Sequence, residues 1–182
     1  MEQEKNPWKT LNSKVVYKNA WITLIEDKVL NPSGNSGIYG KVLFNNIALG
    51  IIPIDENMNT WLVGQYRYPL EEYSWEIPMG GGLKSEKVLD SAKRELKEET
   101  GITAESWEEL LKIHTSNSVT DEVGYVYIAR DLEYGMPEFE DTEQIQIKKL
   151  PLKNAYEMAL EGEITDSLSL AGLLKAGHIL KL

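Results

Sequence analysis

The stretch 80–102, GGGLKSEKVLDSAKRELKEETGI, decides how this chain is read. Three glycines, Gly80, Gly81 and Gly82, open it and read as a turn. A lone acid, Glu86, follows. Then comes the run Arg94, Glu95, Leu96, Lys97, Glu98, Glu99, closed by Gly101 and Ile102. Val88, Leu89, Ala92 and Leu96 recur at helical spacing and predict a helix with one apolar stripe. Ser85 is the expected N-cap. Gly101 stands where a left-handed residue ends a helix. Lys93, Arg94 and Lys97 fall on one flank of the stripe, Glu95 and Glu99 on the other, and Glu98 can reach Arg94 four residues back. Glu95, Glu98 and Glu99 at i, i+3 and i+4 crowd three carboxylates together, which destabilises a helix unless something neutralises them. A hard divalent cation with oxygen ligands would do so. A solvated, salt-bridged surface helix is the alternative reading of such a run, although segregated signs argue against it.

Taken whole, the segment resembles the Nudix box: glycine, five residues, glutamate, seven residues, then Arg-Glu-aliphatic-x-Glu-Glu-x-Gly-aliphatic. Gly80, Glu86, Arg94, Glu95, Leu96, Glu98, Glu99, Gly101 and Ile102 fill its fixed places. From average residue usage, a chance match is on the order of 10⁻⁷ or less. Flanking segments resemble the ADP-ribose pyrophosphatase branch of the superfamily. They are QYRYP at 65–69, WEIPMG at 75–80 and AYEMALEGEITDSLSLAGLL at 155–174.

That resemblance implies an α/β fold, a Nudix-type α/β/α sandwich preceded by an N-terminal antiparallel sheet. It divides the chain into N-terminal strands at 1–45, which would serve dimerisation and the substrate site, and a catalytic domain at 46–182. It implies metal-dependent hydrolysis of the diphosphate of a nucleoside diphosphate sugar, ADP-ribose to AMP and ribose 5-phosphate first. Mg²⁺ or Mn²⁺ would be held by Glu95, Glu99 and the backbone oxygen of Met79, with Glu98 assisting and Arg94 orienting the carboxylates. Glu86 would hold a further metal or brace the loop. A late acidic loop would add a ligand or general base, here Glu143, with Asp141 and Glu140 as alternates. Arg67 would meet a phosphate, and Gly80 and Gly81 would let backbone approach the substrate. The branch also implies a homodimer. Its Ser-Pro-Gly signature past the box is absent: 116–122 reads SNSVTDE. GDP-mannose or another nucleotide sugar therefore stays open, as does a nucleotide-sensing module without catalysis.

Composition bounds the rest. The chain has 182 residues, enough for one sizeable core. A net charge of −10 argues against non-specific nucleic-acid binding and against basic-surface substrates such as RNA caps. It also leaves a phosphate-bearing substrate to be attracted locally rather than by the overall field. There is no cysteine, hence no thiol nucleophile. The polar start MEQEKNPWKT has no signal-peptide core, and no apolar run is long enough for a membrane span, so the expected location is cytoplasmic. His114 and His178 are the only histidines, and no nucleophile elbow accompanies them. Strands are expected at 15–17, 21–29, 39–44, 47–54, 60–66, 107–114, 122–129 and 144–150, and helices at 152–162 and 167–180. The acidic stretch 131–143 reads as a loop. Tyr66 and Tyr68 alternate with Arg67 and should face away from it. Trp75 reads as core or dimer packing.

Overall fold

A computed structural model describes residues 5–139 and 144–182. The elements run β1 (Lys9–Lys18), β2 (Ile22–Leu30), β3 (Ser36–Phe44), β4 (Asn46–Pro53), β5 (Asn59–Arg67), β6 (Glu72–Glu76), β7 (Met79–Leu83), α1 (Val88–Thr100), β8 (Ile102–Ile113), β9 (Gly124–Tyr134), β10 (Gln146–Pro151), α2 (Leu152–Glu161) and α3 (Ser167–Leu180). The chain forms two compact units: 1–46 with 116–122, and 47–115 with 123–182.

The larger unit is built on β4. Its run IALGIIP, with Ile54 directly after it, has no polar alternation because both faces are covered. Leu49 and Ile51 pack with Ala92 and Leu96 of α1, whereas Ile52 and Ile54 pack with Leu168 and Leu173 of α3. β9, parallel to β4, repeats this: Tyr127 and Ala129 face α1, Val126 and Ile128 face α2 and α3. The four-stranded sheet has the order β7-β4-β9-β8, and β10-β5-β6 forms a second, antiparallel sheet. Helices on both faces make the α/β/α arrangement that the family resemblance implies.

The smaller unit is the antiparallel meander β1-β2-β3. Asp27, buried in this unit, is held by Lys41 and by the Ser13 hydroxyl. Residues 116–122, which the sequence does not assign to this sheet, run along β3. Val42 N–H donates to the Val119 carbonyl at 2.9 Å, and Asp121 accepts from Phe44 N–H at 2.7 Å.

Three local expectations change. Ser85 does not cap α1; the helix starts at Val88 after Lys87, which makes no side-chain cap. The chain is still strand through Leu83 and then needs a turn, closed by Glu86 N–H on the Leu83 carbonyl at 3.0 Å. The glycines 80–82 are not a turn but lie within β7, whose bare backbone lets α1 come close. The first residues of the acidic stretch are strand as well, because β9 pairs with β8 as far as Tyr134 opposite Ile102. Cross-strand pairing outweighs their polarity.

The turn from β4 to β5 carries a pH-sensitive tie. Asp55, 5% exposed, accepts from Asn57 N–H at 3.0 Å, Asn59 N–H at 2.8 Å and Lys149 at 2.8 Å. Burial alone would raise its pKa, but Lys149 and these N–H groups outweigh burial and hold it at about 2. The folded pKa lies below the ordinary value of 3.8, so the stabilisation is complete above that value. It is lost as pH falls through about 2. Asp55→Asn should lower the melting temperature at neutral pH by roughly 3–6 °C. The gap from wild type should close on acidification, as melting curves taken across that range would register. A gap unchanged by pH would contradict this account.

Candidate active site

The sequence from Arg94 to Glu99 forms the last turns of α1, and β7 lies against them. Gly101 ends the helix at φ 72°, and its N–H donates to the Lys97 carbonyl at 2.8 Å. Strand β8 follows at once. With no loop between helix and sheet, the carboxylates of the last turn are fixed relative to the core.

Glu99 is 2% exposed and accepts a 2.7 Å hydrogen bond from the Met79 N–H of β7. Glu95, whose side chain is 12% exposed, pairs with Arg94 at 2.8 Å through Oε1. Its Oε2 lies only 2.0 Å from where a Cβ on Gly80 would stand. Arg94 also pairs with Glu98 at 2.7 Å and donates to the Gly81 carbonyl at 2.9 Å. Burial disfavours its charge, but Glu95 and Glu98 outweigh that and raise its pKa. One guanidinium thus binds two box carboxylates to the glycine strand. Glu86 accepts from the Ser91 hydroxyl at 2.9 Å and lines a recess with Lys87, Asp90, Ser91 and Arg94.

Arg67, at the end of β5, turns its guanidinium to Glu76 and to the Met79 sulfur at 3.4 Å. Tyr66 sits on the opposite face, paired with Tyr73, and is exposed together with Tyr68. Trp75 packs against the core and edge-to-face on Tyr73. His114 and His178 are both exposed. Glu140, Asp141 and Glu143 lie outside the described residues. The segment leading to them is attached beside the box. Gly135 N–H donates to the Gly101 carbonyl at 2.8 Å, and Glu138 N–H to the Glu98 carbonyl at 2.8 Å. Glu138 also pairs with Lys97 at 2.9 Å.

Sequence reasoning missed Glu76, a buried acid, and Ser169, whose buried hydroxyl accepts the Ile77 N–H at 3.1 Å. Alternation in the hairpin places Arg67 and Glu76 on one face, because Val63 is opposite Glu76 and Arg67 opposite Glu72. Nothing local signals Ser169.

Among the described residues, no three acids or histidines close into a group that could hold a cation unaided. Arg94 draws Glu95 and Glu98 to itself. The donor set nevertheless fits a hard cation. It offers oxygen donors only, carboxylates and the Met79 carbonyl; one of the acids is buried, and the strand beside Glu95 is bare at Gly80. Gly80→Ala tests that fit. The clashing atoms are the end of a flexible side chain, so the fold should persist while Glu95 swings away. Turnover should fall by about 10²-fold with little change in the circular dichroism spectrum. Wild-type turnover would show that the placement of Glu95 is not needed.

The family described as "NUDIX domain" matches residues 45–168, and "Nucleoside diphosphate sugar hydrolase N-terminal domain" matches residues 8–42. The ADP-ribose pyrophosphatase of Mycobacterium tuberculosis is 32% identical over 174 residues, covering 93% of this chain and 83% of that protein. The methanol dehydrogenase activator of Bacillus methanolicus is 30% identical over 161 residues, 87% of this chain and 86% of that protein. A crystal structure of an ADP compounds hydrolase superposes with a TM-score of 0.86 at 22% identity, covering 99% of this chain and 97% of that one, a likeness of fold. With its box complete from Gly80 of β7 to Ile102 of β8 and its family match spanning residues 45–168, the chain belongs to the NUDIX family and is a Nudix hydrolase.

Proposed function

We propose that this hydrolase cleaves the diphosphate of a nucleoside diphosphate sugar, with ADP-ribose, yielding AMP and ribose 5-phosphate, as its first substrate. The observation that carries the reading is Glu99. It is a buried carboxylate held by the Met79 N–H, beside a Glu95 fixed by Arg94 against the glycine strand. The match of residues 8–42 to the N-terminal domain of nucleoside diphosphate sugar hydrolases supports the substrate class. Two ADP-ribose pyrophosphatases among the relatives, from M. tuberculosis and Bacillus subtilis, support the choice of sugar.

Nudix hydrolases generally use divalent metal ions, and Mg²⁺ or Mn²⁺ is proposed here. Glu95 and Glu99 would hold it, with the Met79 carbonyl, Glu86 and Glu143 as further ligands. A cation held by these residues would supply charge neutralisation for the bridging phosphates and polarisation of the attacking water. Arg94 keeps Glu95 and Glu98 oriented. Arg67 meets a phosphate oxygen, and Gly80 and Gly81 admit the substrate to the backbone. Water attacks one phosphorus, the bridging P–O bond breaks, and an acid of the loop (Glu143, Asp141 or Glu140) takes the water's proton.

GDP-mannose or another nucleotide sugar is the second reading. Residues 116–118 are Ser-Asn-Ser, and they belong to the unit that matches the sugar-hydrolase N-terminal domain. A hydrolysis screen over ADP-ribose, GDP-mannose, UDP-glucose, dinucleoside polyphosphates and oxidised nucleotides tests both. ADP-ribose should be cleaved fastest. Another sugar nucleotide cleaved faster replaces the substrate, and no cleavage at saturating metal refutes the proposal.

A homodimer is part of the same reading. In the N-terminal unit Leu11, Val15, Val16, Tyr17, Trp21 and Ile38 are all more than half exposed. That is more apolar surface than a lone sheet leaves in water. A fully active monomer by light scattering would refute it.

A further inference from the structure

Glu76, the last residue of β6, is 2% exposed. An ionised carboxylate at such depth is strongly disfavoured unless paired. Both its oxygens are taken by one partner: Arg67 Nε donates to Oε1 at 2.9 Å, and Nη2 pairs with Oε2. Such a two-point fork fixes the plane of a guanidinium as well as its position. Arg67 itself is 35% exposed, so the pair reaches from the core to the surface. Nη2 also approaches the Met79 sulfur, whereas Nη1 makes no hydrogen bond among the described residues.

The residues after Glu76 cannot shift easily. Ile77 N–H is held by the Ser169 hydroxyl of α3 at 3.1 Å. The Pro78 carbonyl accepts from Ile51 N–H of β4 at 2.8 Å, and Met79 N–H donates to Glu99 of α1 at 2.7 Å. Three successive backbone groups are thus tied to three different elements. Glu76 is anchored to the strap that also positions the Met79 backbone and Glu99. Arg67 stays charged: its bond to Glu76 foremost, with Asp166 and Glu99 adding to it, raises its pKa despite burial.

Stability alone does not call for this arrangement. A buried ion pair contributes little beyond what well-packed apolar side chains of the same volume would give. What the pair does provide is a cation held in one orientation, whose Nη1 makes no hydrogen bond among the described residues.

We propose that Glu76 is a positioning residue. It fixes the Arg67 guanidinium so that Nη1 meets an anionic diphosphate oxygen of the substrate. The proposal rests on the nucleotide-sugar reading above, but its test separates the two.

Glu76→Gln keeps size and one acceptor but sets an amide NH₂ against Nη2. With ADP-ribose, or the sugar nucleotide that the screen selects, KM should rise about 10-fold while kcat stays within about 2-fold. The metal concentration for half-maximal activity should not change, nor should the melting temperature move by more than a few degrees. Arg67→Ala should raise KM at least as much, and adding Glu76→Gln to it should raise KM no further. If Arg67→Ala leaves KM unchanged, the phosphate contact itself is wrong. If it raises KM but Glu76→Gln does not, or the two effects multiply, the positioning role is overturned. A fall in kcat and metal response with KM unchanged would instead mark Glu76 as a support of the carboxylate site, which also overturns it. Should Glu76→Gln not fold, Glu76→Asp carries the test, since it keeps the charge but withdraws the fork. A wild-type KM in that variant would overturn the proposal.

Discussion

Glu95→Gln and Glu99→Gln should each lower turnover by about 10²-fold or more while the protein still folds. The two changes reach this result by different routes. Gln at 95 keeps the contact with Arg94 in weakened form, since its amide oxygen can still accept from that guanidinium. Raising the metal concentration should therefore recover part of its activity. Gln at 99 faces the Met79 N–H in a nearly sealed place. Its amide oxygen can keep that one hydrogen bond, but the remaining NH₂ adds a donor where a negative charge stood. Little should be recovered with metal. Kinetics over a metal titration for each variant decide this. Near-normal turnover in either at saturating Mg²⁺ removes that residue from the metal site.

One acid of the loop should matter more than any other. Changing Glu143, Asp141 and Glu140 singly to Gln or Asn should lower kcat by about 10²–10⁴-fold at one position, with metal affinity largely intact if that residue is the base. Carboxylates that hold a cation are poor proton acceptors, because the cation lowers their pKa. The acceptor must then stand outside the tightest coordination. These three acids follow directly on a segment attached to the last turn of α1 through Gly135 and Glu138. The three acids themselves lie outside the described residues. If every single variant and the triple variant hydrolyse at the wild-type rate, the base is elsewhere, with Glu98 or Glu122 next.

Legibility from sequence followed the range of the interaction. The Arg94–Glu98 pair was readable because four residues make one helical turn. The end of α1 was readable because Gly101 adopts a backbone that side chains disfavour. The bounds of α3, Ser167–Leu180, agreed with periodicity. The unbroken apolar run 47–54 marked β4 as a strand, but not that helices cover both its faces. Errors came where tertiary contact overrode local habit. Three glycines read as a turn, but here they form a strand stripped of side chains so that Glu95 and Ser91 can lie against it. Glu133 and Tyr134 belong to a strand only because β8 is there to pair with them. Glu76 and Arg67 meet through the register of a hairpin. No pattern in the chain ties 116–122 to β3. The box acids were legible as a motif, but their division between Arg94 and the Met79 N–H was not.

The bond from Ile77 N–H to the Ser169 hydroxyl joins points 92 residues apart in the chain. It bears on how the enzyme comes into being during synthesis. By the time Glu99 leaves the ribosome, every box residue has been made, yet the strap that carries Met79 has no partner for Ile77. That partner lies on α3 and emerges only later. A nascent or truncated chain ending before α3 should therefore hold the full motif and show no turnover. Catalytic competence should arrive abruptly, only when α3 docks.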